Sequence, residues 1–230
     1  ILKYRDHRDK LLRRTVIQLL PRLAASHPES FVLNYRHTCI NHLLSTLKKD
    51  SDRGPCFIAL GELAIALRKN INPYLEPIMA MVKNGLSNRR GAQEAMQCVS
   101  MLSRAVGPAL NQYMPELLVL MFDTGISPTL THTLTELVTN VPEQLPVIQE
   151  RLLNLLSTVL ANKPYYHPGT PASFRKQKST TSGPGIAGSQ ESGGKRTALA
   201  LHTLGTFDFS SHILTEFVCD CVVGYLDHDQ

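Results

Sequence analysis

An all-α fold, arranged as an α-solenoid of antiparallel helical hairpins, is predicted by three features of this 230-residue sequence. Tyr35, Tyr74 and Tyr113 follow one another at intervals of 39 residues, and each opens an amphipathic segment. Within each segment apolar residues stand four apart, which places them on one face of a helix. Turn-forming residues separate the segments. A fixed period combined with a helical face predicts stacked repeats, in which each unit covers the apolar face of the next.

The second helix of each of the first three units begins at one of these tyrosines. The three segments read YRHTCINHLLSTLKK, YLEPIMAMVKNGL and YMPELLVLMFDTG. Shifted by the repeat period, they coincide at two apolar positions, and those positions are predicted to face the core. The first position is occupied by Cys39, Ile78 and Leu117, and the second by Leu43, Val82 and Met121.

The first helix of each unit carries a repeated motif of its own. LPRLA, LGELA and VSMLS occupy equivalent places and end in the small residues Ala24, Ala64 and Ser103. Small side chains allow two helices to approach closely. The stretches SHPES, KNINP and GPALN follow, and their Pro, Gly and Asn residues predict the turn between the two helices of each hairpin.

A fourth unit is predicted from a helix that starts at Ser127 and Pro128. Ser is a favoured N-cap and Pro is favoured at the first helical position. VPEQLP then predicts a turn, and VIQERLLNLLSTVL predicts the second helix. The predicted core face of the first helix carries Leu130, Leu134, Leu137 and Val141.

A fifth unit is predicted after a segment of different composition. Of the 32 residues from 163 to 194, 18 are Pro, Gly, Ser or Thr, which predicts a mostly disordered insertion. KRTALALHTLGTF and ILTEFVCDCVVGYL then form the last hairpin, with Phe217, Cys221 and Tyr225 on its packing face. The predicted organisation is four hairpins in 1–162, the insertion in 163–194 and a fifth hairpin in 195–230. The array is expected to continue past that hairpin.

The composition excludes several classes of function. The net charge of +5 is too small to predict a nucleic-acid-binding surface, and the sequence has no Trp that could stack on bases. The sequence has no run of 18 apolar residues, so it predicts no membrane span. The odd number of cysteines, five, predicts no disulfide framework and favours a reducing, cytoplasmic compartment.

Three short matches to protein-kinase motifs do not form a catalytic set. His7-Arg8-Asp9 has the order of a catalytic loop, but Arg14 stands where that loop needs a metal-binding Asn. The glycine pattern in GPGIAG follows this stretch instead of preceding it and is not flanked by strand patterns. Asp208-Phe209 is followed by Ser, not Gly. We therefore predict no catalytic residue and no phosphotransferase activity for these residues.

The sequence predicts no metal or cofactor site either. Cys219 and Cys221 are two residues apart, so on a helix they point in nearly opposite directions. Cys39 and His42 share a helix face, but two ligands do not complete a zinc site. We interpret all four as structural residues.

A helical hairpin with this period, small residues in its first helix and Tyr or Pro at the start of its second resembles the HEAT repeat. Longer stretches resemble the N-terminal HEAT region of the target-of-rapamycin (TOR) kinases, which are phosphatidylinositol-3-kinase-related serine/threonine kinases. The stretches are LLPRLAASHPESF, DRGPCFIALGELAIALR, LVLMFDTGISPTLTHTLTEL and TALALHTLGTFDFSSHILTEFV. The resemblance covers nearly the whole chain, including KPYYHPGTP at the start of the insertion.

The resemblance implies a non-catalytic scaffold whose parent kinase carries its catalytic domain outside these residues. It implies protein partners, a Raptor-like regulatory subunit and a second TOR chain, and a place in the cytoplasm and, through the parent complex, at the lysosomal surface. No nucleic acid, small-molecule substrate or direct membrane contact is expected. Arg89 and Arg90, between units two and three, are the candidate partner-binding residues. The alternative is a stand-alone HEAT adaptor, of the transport-receptor or phosphatase-scaffold type, without a kinase.

Overall fold

Helices account for all the regular structure in the residues that the computed structural model describes, 1–48, 52–89, 91–165, 190–210 and 212–225. Short 3₁₀ helices connect many of them, at Leu2–Tyr4, Arg68–Tyr74, Gly107–Tyr113, Pro142–Gln144 and Val223–Tyr225. The α-helices are α1 (Lys10–Ser26), α2 (Pro28–Asn34), α3 (Arg36–Leu47), α4 (Arg53–Leu67), α5 (Leu75–Ser87), α6 (Ala92–Val106), α7 (Met114–Phe122), α8 (Pro128–Asn140), α9 (Leu145–Ala161), α10 (Gln190–Thr206) and α11 (Thr215–Cys221).

The helices form two layers, as predicted for a HEAT-type solenoid. In the first layer α4 packs between α1 and α6, and α6 packs in turn against α8. In the second layer α5 contacts α3 and α7, and α7 contacts α9. Unit one is therefore α1 to α3, and the following units are the pairs α4–α5, α6–α7, α8–α9 and α10–α11. Each of the middle units is covered by a neighbour on either side, which confirms the predicted architecture.

The residues at the predicted repeat positions occupy equivalent places in the observed repeats. Tyr35, Tyr74 and Tyr113 each stand immediately before a second-layer helix, α3, α5 or α7. The six equivalent apolar residues of those helices are all at most 1% exposed. The small residues of the first layer, Ala24, Ala64 and Ser103, have no exposed surface.

Two glycines mark the closest approaches between neighbouring helices. A Cβ placed on Gly61 of α4 would lie 2.8 Å from Met101 Sδ on α6. A Cβ on Gly85 of α5 would lie 2.8 Å from Phe57 Cζ on α4. Both distances are far below the normal contact of about 3.5–4.0 Å between carbon atoms. The two pairs of helices can therefore approach this closely only because glycine has no side chain.

The cap predicted for unit four is confirmed, while unit one departs from its prediction. The Leu130 amide donates to Ser127 Oγ at 3.1 Å, and Pro128 is the first residue of α8. In unit one the stretch predicted only as a turn also contains α2, because Pro28 starts a helix that continues to the residue before Tyr35. Unit one therefore has two second-layer helices, divided at that tyrosine.

Unit five rests on α9 through both of its helices. Phe217 and Cys221 are buried as predicted, and the hydroxyl of half-buried Tyr225 donates to the Leu160 carbonyl at 2.6 Å. Helix α10 begins at Gln190, five residues before the predicted boundary at 195. A Cβ on Gly193 or Gly194 would meet no atom within 4 Å, so this side of the helix is open.

The start of the predicted insertion packs onto units four and five. Ser157 Oγ donates to the Lys163 carbonyl, and the Tyr165 amide donates to Asn154 Oδ1 at 2.9 Å. The Tyr165 ring meets the Phe217 ring edge-on, with centroids 4.9 Å apart. The remainder, residues 166–189, lies outside the described residues, and so does the prediction of disorder there.

Candidate docking surface at the edge of the repeats

Arg89 lies in the turn that leads from α5 of unit two to α6 of unit three. The turn is closed by backbone hydrogen bonds, because the Asn88 amide donates to the Asn84 carbonyl and the Arg89 amide to the Leu86 carbonyl. Arg89 is exposed, as predicted, whereas its predicted companion Arg90 lies outside the described residues.

The backbone of Arg89 adopts a left-handed conformation, with φ of 56°. Gly125 after α7 and Asn162 after α9 stand at the corresponding ends of second-layer helices, and they also have positive φ. Gly and Asn adopt this conformation readily, whereas a residue with a longer side chain is strained by about 1 kcal/mol or more. Unit two therefore places a long cationic side chain at a turn position where the later units have Asn or Gly.

Hydrogen bonds fix the helix ends around this turn. Arg53, the first residue of α4, donates from Nη2 to Asn84 Oδ1 on α5, and Asn88 Nδ2 donates to the same oxygen at 3.1 Å. The start of α4 is thus held against the end of α5. Arg89 follows directly on this hydrogen-bonded helix end.

The same edge continues into unit one through a buried carboxylate. The side chain of Asp52 is only 1% exposed, and it accepts from Arg13 Nη2 at 3.3 Å and from Arg14 Nε at 3.0 Å. The side chains of Arg13 and Arg14 are themselves 25% and 41% exposed. Burial of the Asp52 charge between α1 and α4 requires cationic partners, so the two arginines are directed toward it and connect unit one to unit two.

Two adjoining surface cavities open at the unit-one end of this edge. One of about 370 Å³ is bounded by Arg5, Asp6 and residues of α3, and the other, of about 270 Å³, by Arg8, Arg13 and Asp52 among others. Their charges largely neutralise each other, since Arg5 pairs with Asp6 and Arg13 with Asp52. The cavities therefore provide no concentrated charge for a ligand.

The kinase-like residues at this end perform a structural role. Asp9 caps α1, because its Oδ1 accepts the Leu11 amide at 2.7 Å, and its own amide donates to His7 Nδ1. Arg13 Nη1 donates to the carbonyls of His7 and Arg8. The Asp9 carboxylate is thus engaged in starting a helix. The glycines of GPGIAG lie outside the described residues.

Asp208, in the third kinase-like stretch, also stabilises a turn. Its Oδ1 accepts the Ser210 amide at 2.9 Å, and this hydrogen bond lowers the pKa of the Asp208 carboxyl. Phe209 is buried. The Asp208 carbonyl accepts from Gln149 Nε2 of α9, so the stretch holds unit five onto unit four.

The described parts of the chain hold no cluster of three His, Cys, Asp or Glu side chains that could bind a metal ion. Burial raises the pKa of the Cys39 thiol to about 11 and that of Cys98 to about 12, so both remain protonated and unreactive at neutral pH. None of the helices with described residues is long and apolar enough to cross a bilayer. The surface can bind through charge and shape, and it offers no group arranged for covalent chemistry.

Comparison with known proteins gives one consistent relationship. No family model matches the chain. Over its full length the chain is 36% identical to the serine/threonine-protein kinase TOR of Arabidopsis thaliana and 37% identical to that of Oryza sativa subsp. japonica. It is 34% identical to the serine/threonine-protein kinase mTor of Drosophila melanogaster, again over its full length. The chain spans about 9% of the length of each of these proteins.

Proposed function

Because the chain belongs to the TOR family of serine/threonine kinases, as one segment of such a protein, we propose that it acts as a non-catalytic helical-repeat scaffold. In this role it assembles the kinase complex and docks regulatory subunits in growth and nutrient signalling. The observation that carries the proposal is the two-layer stack, in which α4 and α6 are covered on both sides by other first-layer helices. A stack of this kind holds exposed turns at fixed spacing, and spaced surfaces are what an assembly scaffold supplies.

The use of the polar side chains supports a non-catalytic role. Asp9 caps a helix, Asp208 closes a turn, and Asp52 is buried between two arginines. These structural contacts favour a stabilising role for the three carboxylates over the proton transfer and magnesium binding that phosphoryl transfer requires. The kinase activity belongs to the parent protein, whose catalytic domain we place outside these residues.

The partners we propose are a Raptor-like regulatory subunit and a second TOR chain. Family membership supports both, and so does the exposed Arg89 turn, which the Arg53–Asn84 hydrogen bond holds in place. An exposed cation at the end of a hydrogen-bonded helix can pair with a carboxylate of a partner, which favours a place in an interface. With these partners, the segment works in the cytoplasm and at the lysosomal surface.

A deletion in the full-length parent protein tests the scaffold function. Units two to four are removed and the flanking repeats are joined in register, and the Raptor-like subunit and the second TOR chain are then measured in the purified complex. We expect at least one of them to be lost while the kinase domain remains folded. If both are retained at unchanged stoichiometry, the segment is a spacer and the proposal is wrong.

Arg89 is tested separately by charge reversal in the full-length protein. Arg89→Glu is expected to weaken one partner about twofold to fivefold, the range for one exposed ion pair. Arg22→Glu, at an exposed site on α1, is the charge-matched control and should leave that partner unaffected. Equal effects of the two changes would assign the loss to overall charge and not to the Arg89 turn.

A further inference from the structure

Unit two carries a second strained arginine, at the opposite end of α4 from the Arg89 turn. Arg68 follows α4 with φ of 50° and ψ of −129°, a conformation that side chains rarely adopt. Gly107, 39 residues later, follows α6 with φ of 50° and ψ of −121°. Units two and three therefore build the same turn, one with Arg and the other with Gly.

The fold gains nothing from the Arg68 side chain. The side chain is exposed and has no hydrogen bond or ion pair with any other described residue, and only the backbone amide of Arg68 bonds, to the Ala64 carbonyl. Gly lacks the Cβ that creates the strain, so Gly at this position would stabilise the turn, as Gly107 does in unit three. A strained residue whose side chain contributes no contact points to a use outside the fold.

The neighbours of Arg68 provide further positive charge. Lys69 is exposed, and Arg36 of α3 donates from Nη1 to the Asn70 carbonyl at 3.2 Å. The Arg36 guanidinium lies 5.8 Å from the centre of the Tyr74 ring, which holds it beside the same turn. Arg36, Arg68 and Lys69 thus form one basic cluster, which we call the unit-two basic turn.

Acidic side chains nearby do not neutralise the cluster. Glu29 in α2 and Glu76 in α5 are the acidic residues at the starts of the adjacent second-layer helices. Both are exposed, and neither forms an ion pair with the basic turn in the described residues. Arg36 Nε is buried and its Nη1 already donates to the Asn70 carbonyl, so Arg36 contributes mainly its charge. The donors open to the carboxylates of a partner are those of the exposed Arg68 and Lys69.

We propose that the unit-two basic turn is a docking site for an acidic segment of a protein partner. Guanidinium groups bind carboxylates through charge-assisted hydrogen bonds, so clustered arginines fit a run of Glu or Asp side chains. The site is distinct from the Arg89 turn, because the 15 residues of α4 separate the two edges by about 20 Å. It builds on the proposed scaffold function by naming the chemistry of a partner.

The test uses one substitution, Arg68→Gly, for which we expect higher thermal stability but weaker binding of an acidic peptide. The chain with Arg68→Gly should melt about 2–4 °C higher, because the strain is removed. It should also bind a fluorescein-labelled octaglutamate peptide about twofold to fivefold more weakly, because a cation is lost. Arg68→Lys keeps both the Cβ and the charge, so its melting temperature and its affinity should stay close to those of the unaltered chain.

Gly107→Ala is the matched control in unit three. It introduces the same backbone strain, and its Cβ would also lie 3.3 Å from the Asn140 carbonyl oxygen, so its melting temperature should fall while its affinity for octaglutamate stays unchanged. The proposal is overturned if the unaltered chain does not bind the peptide, or if Arg68→Gly leaves its affinity unchanged. Arg89→Gly distinguishes the two edges. If it weakens binding of the peptide and Arg68→Gly does not, the acidic segment binds at the Arg89 turn. This result is separate from the deletion experiment, which tests assembly of the full-length complex.

Discussion

Substitution of Gly85 by Ala tests whether the close packing of α5 against α4 is needed for stability. The added methyl group would lie 2.8 Å from Phe57 Cζ, 3.0 Å from Phe57 Cε2 and 3.4 Å from Ala95 Cβ. The Phe57 ring has no exposed surface, and it is enclosed by the helices around it, so it cannot rotate away. One of the two helices must therefore shift.

The magnitude follows from two opposing terms. Overfilling a packed core costs about 1–3 kcal/mol, and replacing Gly by Ala inside a helix returns up to about 1 kcal/mol. The free energy of unfolding should therefore fall by about 1 kcal/mol. Gly54→Ala is the comparison, because its methyl group would meet only the end of the Glu94 side chain, at 3.2 Å. That side chain can move, so Gly54→Ala should be neutral or stabilising by a few tenths of a kcal/mol.

Urea unfolding followed by far-UV circular dichroism measures both variants. The reasoning predicts a lower midpoint for Gly85→Ala and an equal or higher midpoint for Gly54→Ala. A Phe57→Leu background should reduce the cost of Gly85→Ala, since the contacting ring atoms are gone. If Gly85→Ala is as stable as the unaltered chain, or if Phe57→Leu does not change its cost, the contact does not limit the packing.

Other substitutions probe the core, the helix cap and the buried thiols. Leu60→Asp and Leu134→Asp should each abolish the helical signal and any partner binding together, because both positions have no exposed surface and an unpaired buried charge is very costly. Asp9→Asn should leave the kinase activity of the parent protein unchanged, because Asn can also cap the helix. Asp9→Ala should lower the free energy of unfolding by about 1 kcal/mol through loss of the cap. Loss of activity with Asp9→Asn in a folded protein would contradict the structural role of Asp9. Burial raises the pKa of the Cys56 and Cys98 thiols from 9.0 to about 12 in each case, with the Asp52 charge adding to the shift of the first. Thiols of the unfolded chain ionise near pH 9 while these two stay protonated, so stability should fall as the pH rises from 9 towards 12, and replacing Cys98 by Ala should make the urea midpoint less dependent on pH over that range.

The repeat architecture could be predicted because each unit repeats the same pattern of residue types. The tyrosines at the helix starts, the apolar positions four apart and the small residues of the first layer each recur at nearly constant spacing. Packing is the only interaction that constrains such positions in every unit. The resulting prediction extended to single residues, including the cap at Ser127.

Contacts that occur only once in the array left no such pattern. The ion pairs of Asp52 with Arg13 and Arg14 join two charged stretches that look solvated when each is considered alone. Only the separation of Asp52 from Arg13 by 39 residues and from Arg14 by 38, which is close to the repeat period, could have suggested that they meet. The prediction for Arg89 gave its exposure correctly, but its role in binding remains a prediction. Arg68 was missed, although alignment of the units by their period places it opposite Gly107.

The distance along the chain between contacting residues changes sharply at unit five. Side-chain contacts between neighbouring first-layer helices join residues 32 to 40 apart, for example 37 between Thr133 and Met96 and 39 between Arg13 and Asp52. Unit five meets unit four through Ser157 and Cys221 and through Leu160 and Tyr225, which are 64 and 65 residues apart. The entropy of closing a loop grows only with the logarithm of its length, so the extra residues cost about 0.5 kcal/mol. Residues can therefore be added or removed at this junction at little thermodynamic cost, while a residue added inside a helix of units one to four would rotate the residues after it away from their packed face.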